Sequence, residues 1–101
     1  MDKKQIILDL TDCKYLMELH ERIKTAFGFP DWYGKNFDAF YDLLRSECSA
    51  EKLMIKGFYT VNKELAPSLK IMADILERFS EERYVQSREY NDILPFDYEI
   101  E

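Results

Sequence analysis

The sequence has few of the residues on which several common chemistries depend. It contains only three glycines, widely separated, and a single histidine among 101 residues. Because phosphate-binding loops need closely spaced glycines, the chain offers neither a G-x-G-x-x-G fingerprint nor a P-loop. The lone histidine, His20, argues against a histidine-based metal site, and we expect it to be an ordinary surface or half-buried residue. We therefore expect no cofactor and no metal.

Disulfides and membrane spans are not indicated either. The two cysteines, Cys13 and Cys48, lack C-x-x-C spacing, and a disulfide scaffold usually has more. Reduced thiols in a cytoplasmic protein are the expected state. No apolar run approaches the roughly 20 residues that span a bilayer, and the run at residues 6–8 is too short for a signal peptide. We expect a cytoplasmic protein that binds no membrane.

Basic residues are outnumbered by acidic ones. Fourteen lysines and arginines face 20 aspartates and glutamates, which gives a formal net charge of −6. Because binding to nucleic-acid phosphates needs a basic surface, this balance argues against nucleic acid as a partner. An apolar fraction of 47% argues against disorder and is enough for one small domain. The acidity then reflects either solubility or a basic partner.

Hydrophobic patterning predicts strands that alternate with helices. The apolar run at residues 4–9 predicts a buried strand, and the next segment predicts a helix that Thr11 or Asp12 caps and Gly28 ends. The remaining elements are predicted as helix 35–45, strand 53–59, a turn at 62–65, helix 67–80 and strand 83–89. Because helical crossovers usually join parallel strands, we expect an α/β fold with a three-stranded parallel sheet flanked by helices.

Two carboxylates lie one turn apart in the second predicted helix. Asp38 and Asp42 are spaced i,i+4 and therefore project from one face. A general acid–base pair would face a substrate cleft from two sides, and a metal would need further ligands. An isolated pair of this kind is usually a solvated helix face, in which the helix dipole favours Asp38 in the first turn.

Large aromatic side chains border the acid pair. Trp32 and Tyr33 precede the helix, and Tyr41 adjoins Asp42 within it. Acids combined with aromatics are typical of a surface that binds a cationic partner, because rings bury rigid area and carboxylates form charge-assisted bonds to Arg or Lys. Only one of two consecutive side chains in an extended segment faces the core, and we expect this to be Tyr33.

The segment at residues 30–44 resembles the signature of a known family. It reads PDWYGKNFDAFYDLL, and the signature of barstar-like proteins, intracellular inhibitors of barnase-type ribonucleases, reads approximately P-x-[YW]-Y-G-x-N-[LF]-D-A-[LF]-[WY]-D. The resemblance covers roughly residues 4–90 and includes the order of elements, because the family fold is a three-stranded parallel sheet flanked by helices. It implies a single barstar-like domain over residues 1–101, with an acidic tail of unknown role at 91–101.

The resemblance implies an inhibitor and not an enzyme. In the family, the loop and second helix plug the ribonuclease active site, which implies 1:1 binding of a basic, barnase-type extracellular ribonuclease, with RNA mimicry and an antitoxin role. The partner-binding residues that it implies are Trp32, Gly34, Asn36, Asp38, Tyr41, Asp42 and, on the last long helix, Glu77. The alternative is a barstar-fold module that binds another basic partner without inhibiting a ribonuclease.

Overall fold

The computed structural model describes residues 4–48 and 50–101. Within that part of the chain, the strands and helices in order are β1 (Gln5–Asp9), α1 (Leu16–Phe27), α2 (Phe37–Glu47), β2 (Lys52–Lys56), α3 (Ala66–Glu89) and β3 (Asp97–Ile100). Two short 3-10 turns, Phe58–Thr60 and Lys63–Leu65, connect β2 to α3. The second of these turns confirms the single turn predicted at 62–65.

The strands pair in parallel in the order β1-β2-β3, which confirms the predicted sheet. The register places Ile7 beside Met54 and Met54 beside Glu99. Both crossovers advance in the same direction across the sheet, and such crossovers are almost always right-handed. The helices are therefore expected on one face of the sheet, which leaves the other face to solvent.

Burial along the strands agrees with this arrangement. Leu8, Leu53 and Ile55 are at most 1% exposed, whereas Ile7 on the opposite face is 53% exposed. The helices complete the core with Leu19 and Ile23, with Phe40, Leu43 and Leu44, and with Leu69, Met72, Leu76 and Phe79. Each large apolar side chain removed from water contributes roughly 1.5–3 kcal/mol, so the core fixes how the helices are rotated about their axes.

The prediction of a third strand at residues 83–89 is wrong. α3 continues through this segment to Glu89, and the third strand is β3 in the C-terminal segment. The segment at 83–89 alternates only weakly, and it contains no glycine or proline that would end a helix. Phe96 leads into β3, is 1% exposed and packs on Phe79 with ring centroids 5.0 Å apart. Burial of this ring holds the C-terminal segment against the body.

The start of α1 also differs from the prediction. The helix begins at Leu16, and no side chain caps its first turn. Thr11 lies four residues before the N-cap position, Tyr15, and its N–H and hydroxyl both donate to the Asp9 carboxylate, at 2.9 and 2.6 Å. Asp12 has a φ of 58°, so the chain makes a left-handed turn there and delays the helix by a few residues.

Two glycines end elements with left-handed backbones. Gly28 (φ 69°) ends α1, as predicted, and Gly57 (φ 70°) ends β2, which stops short of the predicted limit at residue 59. Their surroundings differ. A Cβ added at Gly57 would lie 2.4–2.6 Å from atoms of Thr11, whereas none of the described atoms would lie within 4 Å of a Cβ at Gly28.

Alanine substitution at the two glycines separates the cost of a left-handed backbone from the cost of steric crowding. We expect Gly28→Ala to lower the free energy of unfolding by about 1–2 kcal/mol, the cost of a left-handed residue with a Cβ. Gly57→Ala should cost at least about 1 kcal/mol more, because its Cβ also displaces the Thr11 backbone. Urea denaturation of both variants at pH 7 measures the difference, and equal losses would mean that Thr11 moves freely.

Candidate partner-binding site

A buried hydrogen bond anchors the loop between α1 and α2. The Tyr33 hydroxyl lies 2.7 Å from Nδ1 of His20, and the two residues are 3% and 2% exposed. The His20 ring also packs on Phe37 at the start of α2, with centroids 4.7 Å apart. Tyr33 therefore faces inward, as predicted, whereas the expectation of a surface or half-buried His20 is wrong. Burial lowers the pKa of His20 and raises that of Tyr33.

Ion pairs hold both ends of the same loop. Lys24 of α1 lies 3.1 Å from Asp31, and Lys35 pairs with Glu21 of α1. Between these anchors Trp32 points outward and is 71% exposed. The indole therefore lies exposed between two ion-paired ends of the loop.

Asn36 is the N-cap of α2. Its Oδ1 accepts from the Ala39 N–H at 2.8 Å, and its Nδ2 donates to the Gly34 carbonyl at 3.2 Å. A Cβ at Gly34 would lie 3.2 Å from that Nδ2 and 3.4 Å from the Ala39 Cβ. Both residues are exposed, so they shape the helix start and also leave their surface open to a partner.

Asp38 and Asp42 lie exposed on the outer face of α2, one turn apart. The opposite face carries Phe40, Leu43 and Leu44, all at most 3% exposed in the core. Within the described part of the chain, neither carboxylate takes part in a hydrogen bond or an ion pair. Both can therefore accept hydrogen bonds from a cationic partner without first releasing an internal one.

Tyr41 turns from the acid pair toward α3. It is half-buried, and its hydroxyl donates to Glu82. The guanidinium carbons of Arg45 and Arg78 lie 5.4 and 5.8 Å from the centre of its ring, within the range of cation–π contacts. The bond to Glu82, with some burial, raises the pKa of Tyr41. These contacts fix the ring at the border between the two helices.

The sequence did not reveal the charged neighbours of Tyr41. Arg78 and Glu82 are spaced i,i+4 in α3, which places them on one helix face but does not say that this face meets α2. Arg45 lies three residues after Asp42 and seven after Asp38, on the stripe that carries both acids. This spacing was the signal in the sequence from which the position of Arg45 beside the two acids could have been predicted.

Glu77 lies apart from the other predicted site residues. It accepts a hydrogen bond of 2.7 Å from the Tyr98 hydroxyl of β3, on a different flank of α3 from Arg78 and Glu82. Burial and this bond raise the pKa of Tyr98 to about 12. The loop and α2 thus bring together Trp32, Gly34, Asn36, Asp38, Tyr41 and Asp42, but the structure does not add Glu77 to that surface.

Other chemistry has little support in the described residues. No group of three or more His, Cys, Asp or Glu side chains that could hold a metal is found in residues 4–48 and 50–101. Across the same ranges, no helix is both long and apolar enough to cross a bilayer. Cys13 and Cys48 are free thiols, and burial raises the pKa of each.

The buried imidazole makes folding depend on pH. Because burial lowers the pKa of His20 below 6.5, the unfolded chain binds more protons than the fold below that pH. We expect protonation of His20 to leave the free energy of unfolding nearly unchanged above about pH 6.5 and to lower it below that pH. The loss at pH 5.5 is at most about 1.4 kcal/mol, the limit for a histidine that stays neutral in the fold. Urea denaturation at pH 7.5 and 5.5 measures the loss, with His20→Gln as the control.

His20→Gln should show no loss over this interval, because carboxylates protonate mainly at lower pH. The single histidine also gives an unambiguous imidazole signal in NMR titration. A His20 pKa at or above 6.5 in the folded protein would contradict the assignment.

Comparison with known proteins identifies the family. The family model for Barstar, described as a barnase inhibitor, matches residues 3–93. A protein of Bacillus subtilis (strain 168), named "Putative ribonuclease inhibitor YrdF", is 30% identical over 80 residues, which is 78% of this chain and 88% of that protein. The family match runs from before β1 to beyond α3 and confirms the resemblance of the loop and α2 segment. The chain belongs to the Barstar family of ribonuclease inhibitors.

Proposed function

We propose that the chain binds a basic barnase-type ribonuclease 1:1 and blocks its active site with the loop and α2. The observation that carries this proposal is the pair of exposed carboxylates, Asp38 and Asp42, on a helix that its cap and core hold rigid. Neither carboxylate pairs with any residue that the structure describes. Membership in a family described as barnase inhibitors supports the same partner.

The geometry suits steric, competitive inhibition. A ribonuclease active site is a cationic pocket that holds phosphate, and a carboxylate on a rigid helix can satisfy those cations without presenting a bond to cleave. In this sense Asp42 and Asp38 would mimic RNA. Trp32, with most of its surface free, would supply apolar area at the edge of the contact. Because the loop and helix are already fixed, little conformational entropy is lost on binding.

The proposed setting follows from the family and the charge. An acidic inhibitor of formal net charge −6 attracts a basic enzyme over long range and so speeds their encounter. We propose that the protein acts in the cytoplasm as an antitoxin against a ribonuclease that works outside the cell.

Removing one carboxylate tests the site. We expect Asp42→Ala to weaken binding of a barnase-type ribonuclease by at least about 2 kcal/mol, the usual threshold for a hot-spot residue. Folding should stay near wild type, because the side chain is exposed and alanine favours helix. Isothermal calorimetry with an RNA-cleavage assay measures the loss.

Glu47→Ala is the matched control. Glu47 is an exposed acid at the end of α2, nine residues after Asp38 and hence about 180° around the helix from it. Both substitutions remove one negative charge, so any difference between them is local. Equal affinities for the two variants would place the contact elsewhere, and binding without loss of RNA cleavage would favour a partner-binding module that does not inhibit.

The salt dependence of the two rate constants separates long-range electrostatic attraction from short-range contact. We expect the association rate constant to fall at least about tenfold between roughly 50 and 500 mM NaCl, because salt screens the field beyond about 10 Å. The dissociation rate constant should change less, since the buried contacts are screened less. Stopped-flow measurements give both constants. A salt effect confined to dissociation would show that the net charge does not guide the encounter.

A further inference from the structure

Two arginines lie beside Tyr41, at the border of the proposed interface. Arg45 continues the acid stripe of α2 one turn beyond Asp42, and Arg78 faces it from α3. Both guanidinium groups lie within 6 Å of the Tyr41 ring centre. A surface expected to meet only positive charge therefore contains a positive region beside its acids.

The two arginines differ in whether a nearby carboxylate neutralises their charge. Arg45 lies 3.7 Å from Glu82, which also accepts from the Tyr41 hydroxyl. Arg78 is exposed and forms no ion pair with any residue that the structure describes. Glu82, one turn after Arg78, is thus already committed to two other groups.

Two other acids lie at helical spacing from Arg78. Asp74 lies one turn before it and Glu81 three residues after it, but no ion pair joins either acid to Arg78 in the described part of the chain. Burial, Glu77 and Asp74 together raise the pKa of Tyr98, so the charge of Asp74 interacts with the Tyr98 hydroxyl of β3. Among the residues that the structure describes, the exposed Arg78 guanidinium therefore has no ion pair and no hydrogen bond, and it lies beside the ring that borders the acid pair.

An interface that covers this guanidinium must supply an acceptor. Burying an unpaired charge is costly, and two like charges brought together at an interface disfavour binding by several kcal/mol. A uniformly basic partner would therefore bind Asp38 and Asp42 but be repelled at Arg78. A partner that places a carboxylate there would gain a charge-assisted bond.

We propose that Arg78 is a specificity-determining contact that binds a carboxylate of the partner. This inference rests on the proposed function and narrows it. The partner is a ribonuclease whose phosphate pocket, which receives Asp42, has an acidic residue on the part of its rim that meets α3. Ribonucleases with a wholly basic rim are disfavoured by the same arginine.

Two charge reversals on α3 test the proposal. Arg78→Glu and Arg88→Glu change the formal net charge equally, from −6 to −8, so their effects on long-range steering match. Arg88 is exposed near the end of α3 and stacks on Tyr84 at 5.9 Å, away from Tyr41. We expect Arg78→Glu to raise the Kd for a barnase-type ribonuclease at least about tenfold more than Arg88→Glu, chiefly through faster dissociation.

Substitution of the partner adds a second measurement. Replacing the rim carboxylate of the ribonuclease with lysine should weaken wild-type binding and restore binding to Arg78→Glu. If Arg78→Glu loses stability among its acidic neighbours, Arg78→Gln compared with Arg88→Gln removes the guanidinium without adding a charge. The expected order of the two Kd values is the same.

The outcomes separate this inference from the proposed function. Tighter or unchanged binding by Arg78→Glu relative to Arg88→Glu, with Asp42→Ala still weakened, overturns the role of Arg78 and leaves inhibition standing. No binding by the wild-type chain to barnase-type ribonucleases overturns both. Weaker binding by Arg78→Glu than by Arg88→Glu, and weakened binding by the separate Asp42→Ala variant, support both proposals.

Discussion

The hydrogen bond between His20 and Tyr33 is the constraint on which the candidate site depends. It is buried between α1 and the loop, and a buried polar group that lost its partner would cost about 1–3 kcal/mol. Tyr33 is held inward, and its neighbour Trp32 lies exposed in the turn that the Tyr33 N–H closes on the Pro30 carbonyl at 3.0 Å. The same contact places Phe37 and so sets where α2 begins. The buried tyrosine and this turn together accompany the exposed indole.

Charge is distributed unevenly over the surface that results. In the described part of the chain, the carboxylates of Asp38 and Asp42 have no ion pair and no hydrogen bond, and the guanidinium groups of Arg45 and Arg78 lie over the Tyr41 ring beside them. A net charge of −6 favours approach of any basic molecule, but short-range pairing decides which molecule stays. Under the two proposals, the acids of α2 attract the partner and Arg78 of α3 discriminates between partners.

Local signals in the sequence predicted the elements that depend on local interactions. Gly28 ends α1 because a left-handed residue is needed there, and the i,i+4 spacing of Asp38 and Asp42 alone places them on one face. The prediction failed at residues 83–89, where weak alternation fits a helix as well as a strand. The true strand is selected by burial of Phe96 against Phe79, a contact between residues 17 positions apart that no local pattern reports.

The sequence by itself determined the α/β class, the parallel sheet and the family, because periodicity and the segment at 30–44 are properties of neighbouring residues. It also determined that two acids and several aromatics share one helix and loop. Only the tertiary structure decided what α3 contributes. Packing rotates that helix so that Arg78 and Glu82 meet Tyr41 while Glu77 meets Tyr98. That rotation is set by burial of the apolar face of α3 across the whole core, which spacing within one helix cannot specify.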